Sequence, residues 1–200
     1  MTETASIFEL AYRFTQRWEG GGRYHEVEGD PGGPTKYGVS YRFLKDLPLK
    51  LSDMDQDDQI TWKDVSGLTE TRAQEIFRIY FWDMLSLSQI QAPPLSVTLF
   101  DTSVNCGRTR TVKWLQRILG NGLSVDGDMG PMTVKAARSL CRLGSVPSRL
   151  MRIALLQTRR LHYHELTYSS QEMGKFLKGW LNRVDDLEEF VKTVPVENGE

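Results

Sequence analysis

Cysteine is nearly missing from this chain of 200 residues, which holds only Cys106 and Cys141. Two thiols make neither a disulfide framework nor a metal-binding pattern, and neither has a helper residue beside it, so reduced, packed thiols are expected. Histidine is scarce as well, with three residues. His162 and His164 are too close together and too alone to argue for zinc. No apolar run approaches the ~20 residues that a membrane-spanning helix requires, so no membrane insertion is expected. The N-terminus lacks a basic stretch followed by an apolar core, because Glu3 and Glu9 interrupt it; synthesis in the cytoplasm without a signal peptide is the expectation. A large net charge is absent too: 25 Lys/Arg stand against 26 Asp/Glu, giving −1. With 40% hydrophobic and 26% charged residues, the composition is that of an ordinary globule, one large domain or two small ones.

The charge that is present is unevenly spread. From Arg108 to Arg160 there are eleven Lys/Arg and only two acids, Asp126 and Asp128. A basic half assists encounter with an anionic polymer, although most such charges sit on solvated helix faces. Neither a helix-turn-helix signal nor an interleaved aromatic–basic motif accompanies it, so nucleic acid is not the expected partner.

Glycine is concentrated after the first helix. Ser6 and Glu9 form a capping box, Ile7, Leu10, Ala11, Phe14 and Trp18 recur at helical spacing, and Gly20, Gly21 and Gly22 end the run. Glu19 therefore falls in the last turn, where the helix dipole repels a negative charge and Lys or Arg would be usual. The dipole, with any burial beside Trp18, favours the neutral acid, the form a general acid needs. The bland alternative is a solvated Glu at a frayed end. Next comes a stretch crowded with Gly and Pro, and Thr35–Ser40 then reads as extended, which predicts a β-hairpin or tight-turned loop rather than a second helix. Asp30 and Thr35 are thereby expected to face the end of the first helix. One acid at a helix end, with a second carboxylate and a hydroxyl from a hairpin, suits cleavage of a glycosidic bond. Equally, Asp30-Pro31-Gly32-Gly33 is simply a good turn capped by its Asp. Spacing leaves both readings open.

Asp53 to Asp64 places acids at positions 1, 3, 5 and 12 of a twelve-residue loop, with Ile60 at position 8. That is the register of a calcium loop, and Asp53, Asp55, Asp57 and Asp64 are the candidate ligands of a structural calcium. Asp58 replaces the usual Gly at position 6, although Asp tolerates positive φ better than most residues. Asp64 replaces the longer Glu at position 12, and no clear entering helix is visible in Leu47-Pro48-Leu49. The competing reading is an acidic, solvated loop before a helix capped by Thr69.

Everything after that reads as helix. Thr69 to about Trp82 carries Ala73, Ile76, Phe77 and Tyr80 at helical spacing, and Pro93-Pro94 forces a break. Leu95 to Asn105 follows, with Leu95, Leu99, Phe100 and Val104 as expected core contacts. Asp101 and Asn105, four apart, share a face. They line a sugar cleft or, the favoured reading, bond the hairpin backbone and support Glu19's loop. Helices are also expected over 111–119, 131–140, 148–163 and 171–191, with turns at Gly120-Asn121-Gly122 and Asp126-Gly127-Asp128. Trp114, Tyr163, Tyr168 and Trp180 are either sugar-stacking rings or core.

Several segments together carry a resemblance. Glu19-Gly20-Gly21 followed by Asp30-Pro31-Gly32-Gly33-Pro34-Thr35-Lys36-Tyr37-Gly38-Val39-Ser40 resembles the signature of glycoside hydrolase family 108, N-acetylmuramidases found as phage endolysins and secretion-associated lysozymes. Tyr80-Phe81-Trp82-Asp83 and Phe100 to Gly107 match further along. Trp114-Leu115-Gln116, Val125 to Pro131 and Gly179 to Val184 look like the family's C-terminal peptidoglycan-binding region. The resemblance spans roughly residues 6–190 and implies a mainly α, lysozyme-like helical fold with a small β-hairpin beside the catalytic Glu. It divides the chain into a catalytic region 1–107, a docked helical peptidoglycan-binding subdomain 108–192 and a flexible tail 193–200. The family's catalytic Glu falls on Glu19; a looser similarity to phage-type lysozymes, which invert, suggests the roles of Asp30 and Thr35. A third glycine, Gly22, and Arg23 before Tyr24 depart from the pattern, so a different course into the hairpin is expected. Substrate contacts are expected from Tyr24, Lys36, Tyr37, Asp101, Asn105, Trp114 and Trp180.

The implied activity is hydrolysis of the β-1,4 bond between N-acetylmuramic acid and N-acetylglucosamine in peptidoglycan, bacteriolytic and without a catalytic cofactor. A lytic transglycosylase, to which Asp30 would be dispensable, and a non-catalytic wall-binding secretion accessory remain as alternatives. Exit to the wall, the periplasm in a Gram-negative host, would need a phage holin or a dedicated secretion system, and a monomer is expected.

Overall fold

The computed structural model describes residues 5–25, 32–120 and 122–195. Its first helix, α1 (Ile7–Trp18), starts at the expected capping box: Ser6 N–H donates to a Glu9 carboxylate oxygen at 2.6 Å and Glu9 N–H to Ser6 Oγ at 3.3 Å. The described chain forms two units, residues 15–79 and residues 5–14 with 80–195.

The smaller unit contains the one sheet among the described residues, an antiparallel pair of β1 (Thr35–Lys36) and β2 (Val39–Ser40) with Thr35 opposite Ser40 and Lys36 opposite Val39. The two residues between them, Tyr37 (φ 53°) and Gly38 (φ 75°), are both left-handed, as a two-residue hairpin turn with both central φ positive demands. Ser40 then caps α2 (Tyr41–Lys45) through Phe43 N–H. A short helix does precede the acidic loop: α3 (Leu49–Ser52) begins after Pro48, whose fixed φ suits a helix start. The loop is followed by α4 (Trp62–Gly67), which sequence periodicity did not reveal, and α5 (Glu70–Phe77), capped by Thr69 as expected. A π-helical turn, Arg78–Asp83, carries the predicted Thr69–Trp82 helix to its end.

The larger unit is built on α6 (Pro93–Cys106). Its two prolines open the helix, where their missing N–H groups cost nothing, instead of interrupting one. Leu95, Leu99 and Phe100 are fully buried, as expected, whereas Val104 stays partly exposed. Burial runs around the whole circumference of α6, so it is a core helix and not an amphipathic surface one. Phe8 meets Trp82 and Phe100 edge to face, at 5.6 and 5.8 Å between ring centres. Around α6 lie α7 (Arg108–Leu119), α8 (Pro131–Cys141), α9 (Ser145–Ser169) and α10 (Gly174–Phe190). Gln116, buried in α7, holds the Asp126-Gly127-Asp128 turn: its Nε2 donates to Asp126 Oδ1 at 2.8 Å and its Oε1 accepts from Gly127 N–H at 2.9 Å. Val194 is buried, so packed chain continues past residue 192; residues 196–200 of the expected tail lie outside the described residues.

Asp101 corrects a sequence expectation. Being fully buried, it lines no open cleft: its carboxylate accepts from Arg159 Nη1 at 2.7 Å and from Arg183 Nη2 at 2.7 Å. One carboxylate on α6 thus joins α9 and α10. Burial alone would push that carboxyl up, but Arg183 and then Arg159 more than offset it and hold it at about 2, below the ordinary 3.8. Removing one member of such a buried cluster strands the others, and Asp101→Ala should cost about 3–5 kcal/mol in urea unfolding. Because the folded value is depressed, Asp101 contributes stability above about pH 4 that is lost as pH falls towards 2. Stability measured against pH should show that acid limb in the parent and not in Asp101→Asn.

Candidate active site

Glu19 follows the last residue of α1. Its N–H still bonds Thr15 O at 3.1 Å, and Gly21 N–H reaches back to Gln16 O at 3.3 Å. With Gly20 (φ 81°) left-handed, this is a Schellman-type stop, and it fixes the backbone that carries the Glu19 side chain. Glu19 is half-buried. A Cβ built on Gly38, at the tip of the hairpin, would lie 2.9 Å from Glu19 Cβ and 3.2 Å from Phe77 Cζ. Only a glycine lets the turn come this close to the helix end.

Three more contacts join turn to helix end. Tyr37 N–H donates to Gly21 O at 2.9 Å, and Gln16 Nε2 donates to Tyr37 O at 2.9 Å. A Cβ on Gly22 would sit 2.8 Å from the Tyr37 ring, so the third glycine makes room for that ring. Gln16 was not singled out from sequence; its position three residues before Glu19, on the same helix face, is the signal that could have found it. Thr35 is paired through its backbone with His25, N to O at 2.9 Å and O to N at 3.1 Å, and its hydroxyl lies 3.5 Å from Gly33 O. Lys36 Nζ donates to Ser66 O at 2.7 Å and lies 5.6 Å from the Tyr37 ring centre. Tyr24 is exposed. Asp30 lies outside the described residues. Glu19, Gln16, Thr35, Lys36 and Tyr37 thus belong to one local construction: an acid at a helix end with a hydroxyl-bearing hairpin packed against it.

In the acidic loop, Asp53, Asp55 and Asp57 each bring a carboxylate oxygen within 4.8 Å of the others. Desolvation, then Asp57, Asp64 and Asp53, push the Asp55 carboxyl up. Gln56 and Asp58 both adopt φ 61°, so Asp58 takes the left-handed conformation expected of it. Asp64 is not in the cluster. It is fully buried, accepts Met54 N–H and Thr61 N–H at 2.7 Å each, and closes the capping box of α4. A Thr61-x-x-Asp64 spacing is the sequence signal for that role.

A family model described as glycosyl hydrolase 108 matches residues 12–107, the span holding the Glu19 helix end and the hairpin. Residues 12–107 belong to glycosyl hydrolase family 108. A second model, described as a predicted peptidoglycan domain, matches residues 110–185. The solved structure of Brucella abortus SagA is similar, with a TM-score of 0.71 and 24% identity over 96% of this chain and 97% of that one. No curated protein matches. The fold is mainly α and lysozyme-like, and the family 108 domain with its peptidoglycan partner domain makes the chain a glycoside hydrolase acting on peptidoglycan. No helix among the described residues is long and apolar enough to cross a membrane.

In the peptidoglycan domain and the helix before it, the other expected sugar contacts sort by burial. Asp101 is taken by two arginines. Asn105 Oδ1 accepts from the Tyr163 hydroxyl, and Trp114 is buried with its ring 5.4 Å from His162. Asn105 is half-buried, and Trp114 also lines an open hollow of about 390 Å³ with Arg117, Thr158 and His162. Trp180 is half-buried, stacked at 5.1 Å on buried Tyr163 and 5.7 Å from exposed Phe176; Tyr168 is almost wholly exposed.

Gly38→Ala tests the helix–turn contact of the family 108 domain. Strain at positive φ costs about 1–2 kcal/mol, and the added methyl must also displace Glu19. The expected outcome is a modest fall in melting temperature with a loss of peptidoglycan hydrolysis of about tenfold or more, beyond what the stability loss explains. Unchanged turnover would show that Glu19 does not depend on the turn.

Proposed function

We propose that this protein is an N-acetylmuramidase that hydrolyses the β-1,4 bond between N-acetylmuramic acid and N-acetylglucosamine, with Glu19 as the general acid. The observation that carries the reading is the locked approach of the Gly38 turn to Glu19, which holds one carboxyl group against a hairpin inside a family 108 domain. Glu19 protonates the leaving oxygen. Asp30 and Thr35 hold the attacking water on the opposite face of the sugar or stabilise the oxocarbenium-like transition state, and inversion is the expected stereochemical outcome. Tyr37, ordered by Gln16 and Gly22, shapes the wall of the cleft. Lys36, beside it on the hairpin, meets a lactyl or peptide carboxylate.

Digestion of purified peptidoglycan with wild type and Glu19→Gln, followed by mass spectrometry of the soluble products, tests this. Wild type should release fragments with reducing-end N-acetylmuramic acid, and Glu19→Gln should fall by at least about a thousandfold while keeping its fold. Anhydro products would turn the mechanism to transglycosylation, with the substrate's own hydroxyl as nucleophile. Full activity in Glu19→Gln would remove Glu19 from the chemistry.

A further inference from the structure

In the larger unit, α8 of the peptidoglycan domain with Ser86 and Gln89 forms an open hollow of about 450 Å³ whose charged lining has the sign opposite to a peptide stem. Lys135, Arg138 and Arg142 on and just beyond α8 stand at i, i+3 and i+7, which puts all three on one face of the helix. Met129, Pro131 and Val134 provide apolar surface in the same hollow.

Among the described residues none of these three cations is paired with a carboxylate. Their neighbour is the neutral side chain of Gln91, whose Oε1 accepts from Arg138 Nε at 2.8 Å and from Arg142 Nη2 at 3.4 Å. Gln91 itself sits at φ 57°. An uncharged acceptor orients two guanidinium groups without cancelling their charge. Elsewhere in the same unit arginines are neutralised: Arg160 meets Asp185 at 2.7 Å and Glu188 at 2.8 Å, and Arg159 meets Asp101. The hollow is therefore a place where positive charge is gathered, aimed and left for a ligand, in front of apolar surface suited to short aliphatic side chains.

We propose that this hollow binds the peptide stem of peptidoglycan, with Lys135, Arg138 and Arg142 taking its free carboxylates and the Met129–Val134 surface taking its small side chains. The proposal rests on the reading of peptidoglycan as the substrate and adds which part of that polymer the second domain recognises. A glycan strand stripped of its stems keeps a single lactyl carboxylate on each N-acetylmuramic acid and none of the small side chains, so it offers neither several carboxylates to one cluster of cations nor a partner for the apolar surface. A nucleic acid would meet the charge but not the apolar floor.

The test uses the full chain carrying Glu19→Gln, so that the polymer survives, and measures its capture by intact sacculi and by bead-immobilised glycan strands from which an amidase has removed the stems. Lys135→Ala/Arg142→Ala and the charge reversal Lys135→Glu/Arg142→Glu are compared with Arg149→Ala, an exposed basic residue outside the hollow. The expected result is affinity for intact sacculi about tenfold lower in the double alanine variant and lower still in the reversal, with Arg149→Ala close to the parent. On stem-stripped strands the parent should lose that advantage and all four proteins should bind alike. Equal binding of parent and hollow variants to intact sacculi overturns the proposal and leaves the muramidase reading standing. An equal loss on intact sacculi and stripped strands also overturns it, in favour of unspecific attraction to the wall. A parent captured by neither overturns both. A DNA duplex serves as the competing probe: variant-sensitive binding to it, with sacculus binding unchanged, would assign the cations to phosphates instead.

Discussion

Asp101 is the group on which the larger unit depends. It projects from α6, a helix buried around its whole circumference, into a place where no carboxylate belongs unless something receives it. Arg159 of α9 and Arg183 of α10 do so, and Arg183 bonds it through both Nε, at 3.2 Å, and Nη2. Nonpolar packing tolerates small shifts of one helix against another; a fork of short charge-assisted bonds to a single carboxylate tolerates few. The cluster thus sets how the last two long helices lie on α6. Arg159 passes the constraint on, since its Nε donates to the Tyr163 hydroxyl at 2.6 Å and the Tyr163 ring carries Trp180. The half-buried aromatic row of the peptidoglycan domain rests on the same buried charge.

The smaller unit solves a different problem with backbone alone. A helix end and a two-residue turn must touch while keeping a glutamate at the junction. Glycine does it in three separate ways. Gly20 supplies the left-handed stop, Gly22 vacates space for the Tyr37 ring, and Gly38 lets the turn reach Glu19. Hydrogen bonds from Gln16 and Tyr37 then lock the contact. Such a junction has little slack, which is what a proton donor aimed at one oxygen of a polymer requires.

Charge is sorted between the same two regions. Acids crowd Asp53–Asp58 in the family 108 domain, where Asp53 spends its oxygens on the N–H groups of Gln56, Asp57 and Asp58. Bases dominate the peptidoglycan domain, and around α8 they meet no carboxylate among the described residues. A polymer bearing neutral sugars and acidic stems meets both characters in one chain, the first suited to sugar chemistry and the second to holding anionic side branches.

Local signals in the sequence determined a good deal. The Ser6–Glu9 box, the Thr69 cap, the glycines after Trp18 and the paired prolines at 93 and 94 each act within a few residues, so their effect on the chain can be read where they stand. The same holds for the hairpin at Thr35–Ser40 and for the motif that carries the family. Asp101 was misread as a cleft residue because a helix face tells which residues share a side, not what waits there; the partners of Asp101 are 58 and 82 residues away. Asp64 went the same way, an acid whose burial no short window reveals. Only the folded chain could decide that the third glycine answers to a tyrosine fifteen residues later, or that Lys135, Arg138 and Arg142 meet no acid among the described residues. Capping and turn formation are decided by neighbours in sequence, whereas burial and ion pairing are decided by neighbours in space.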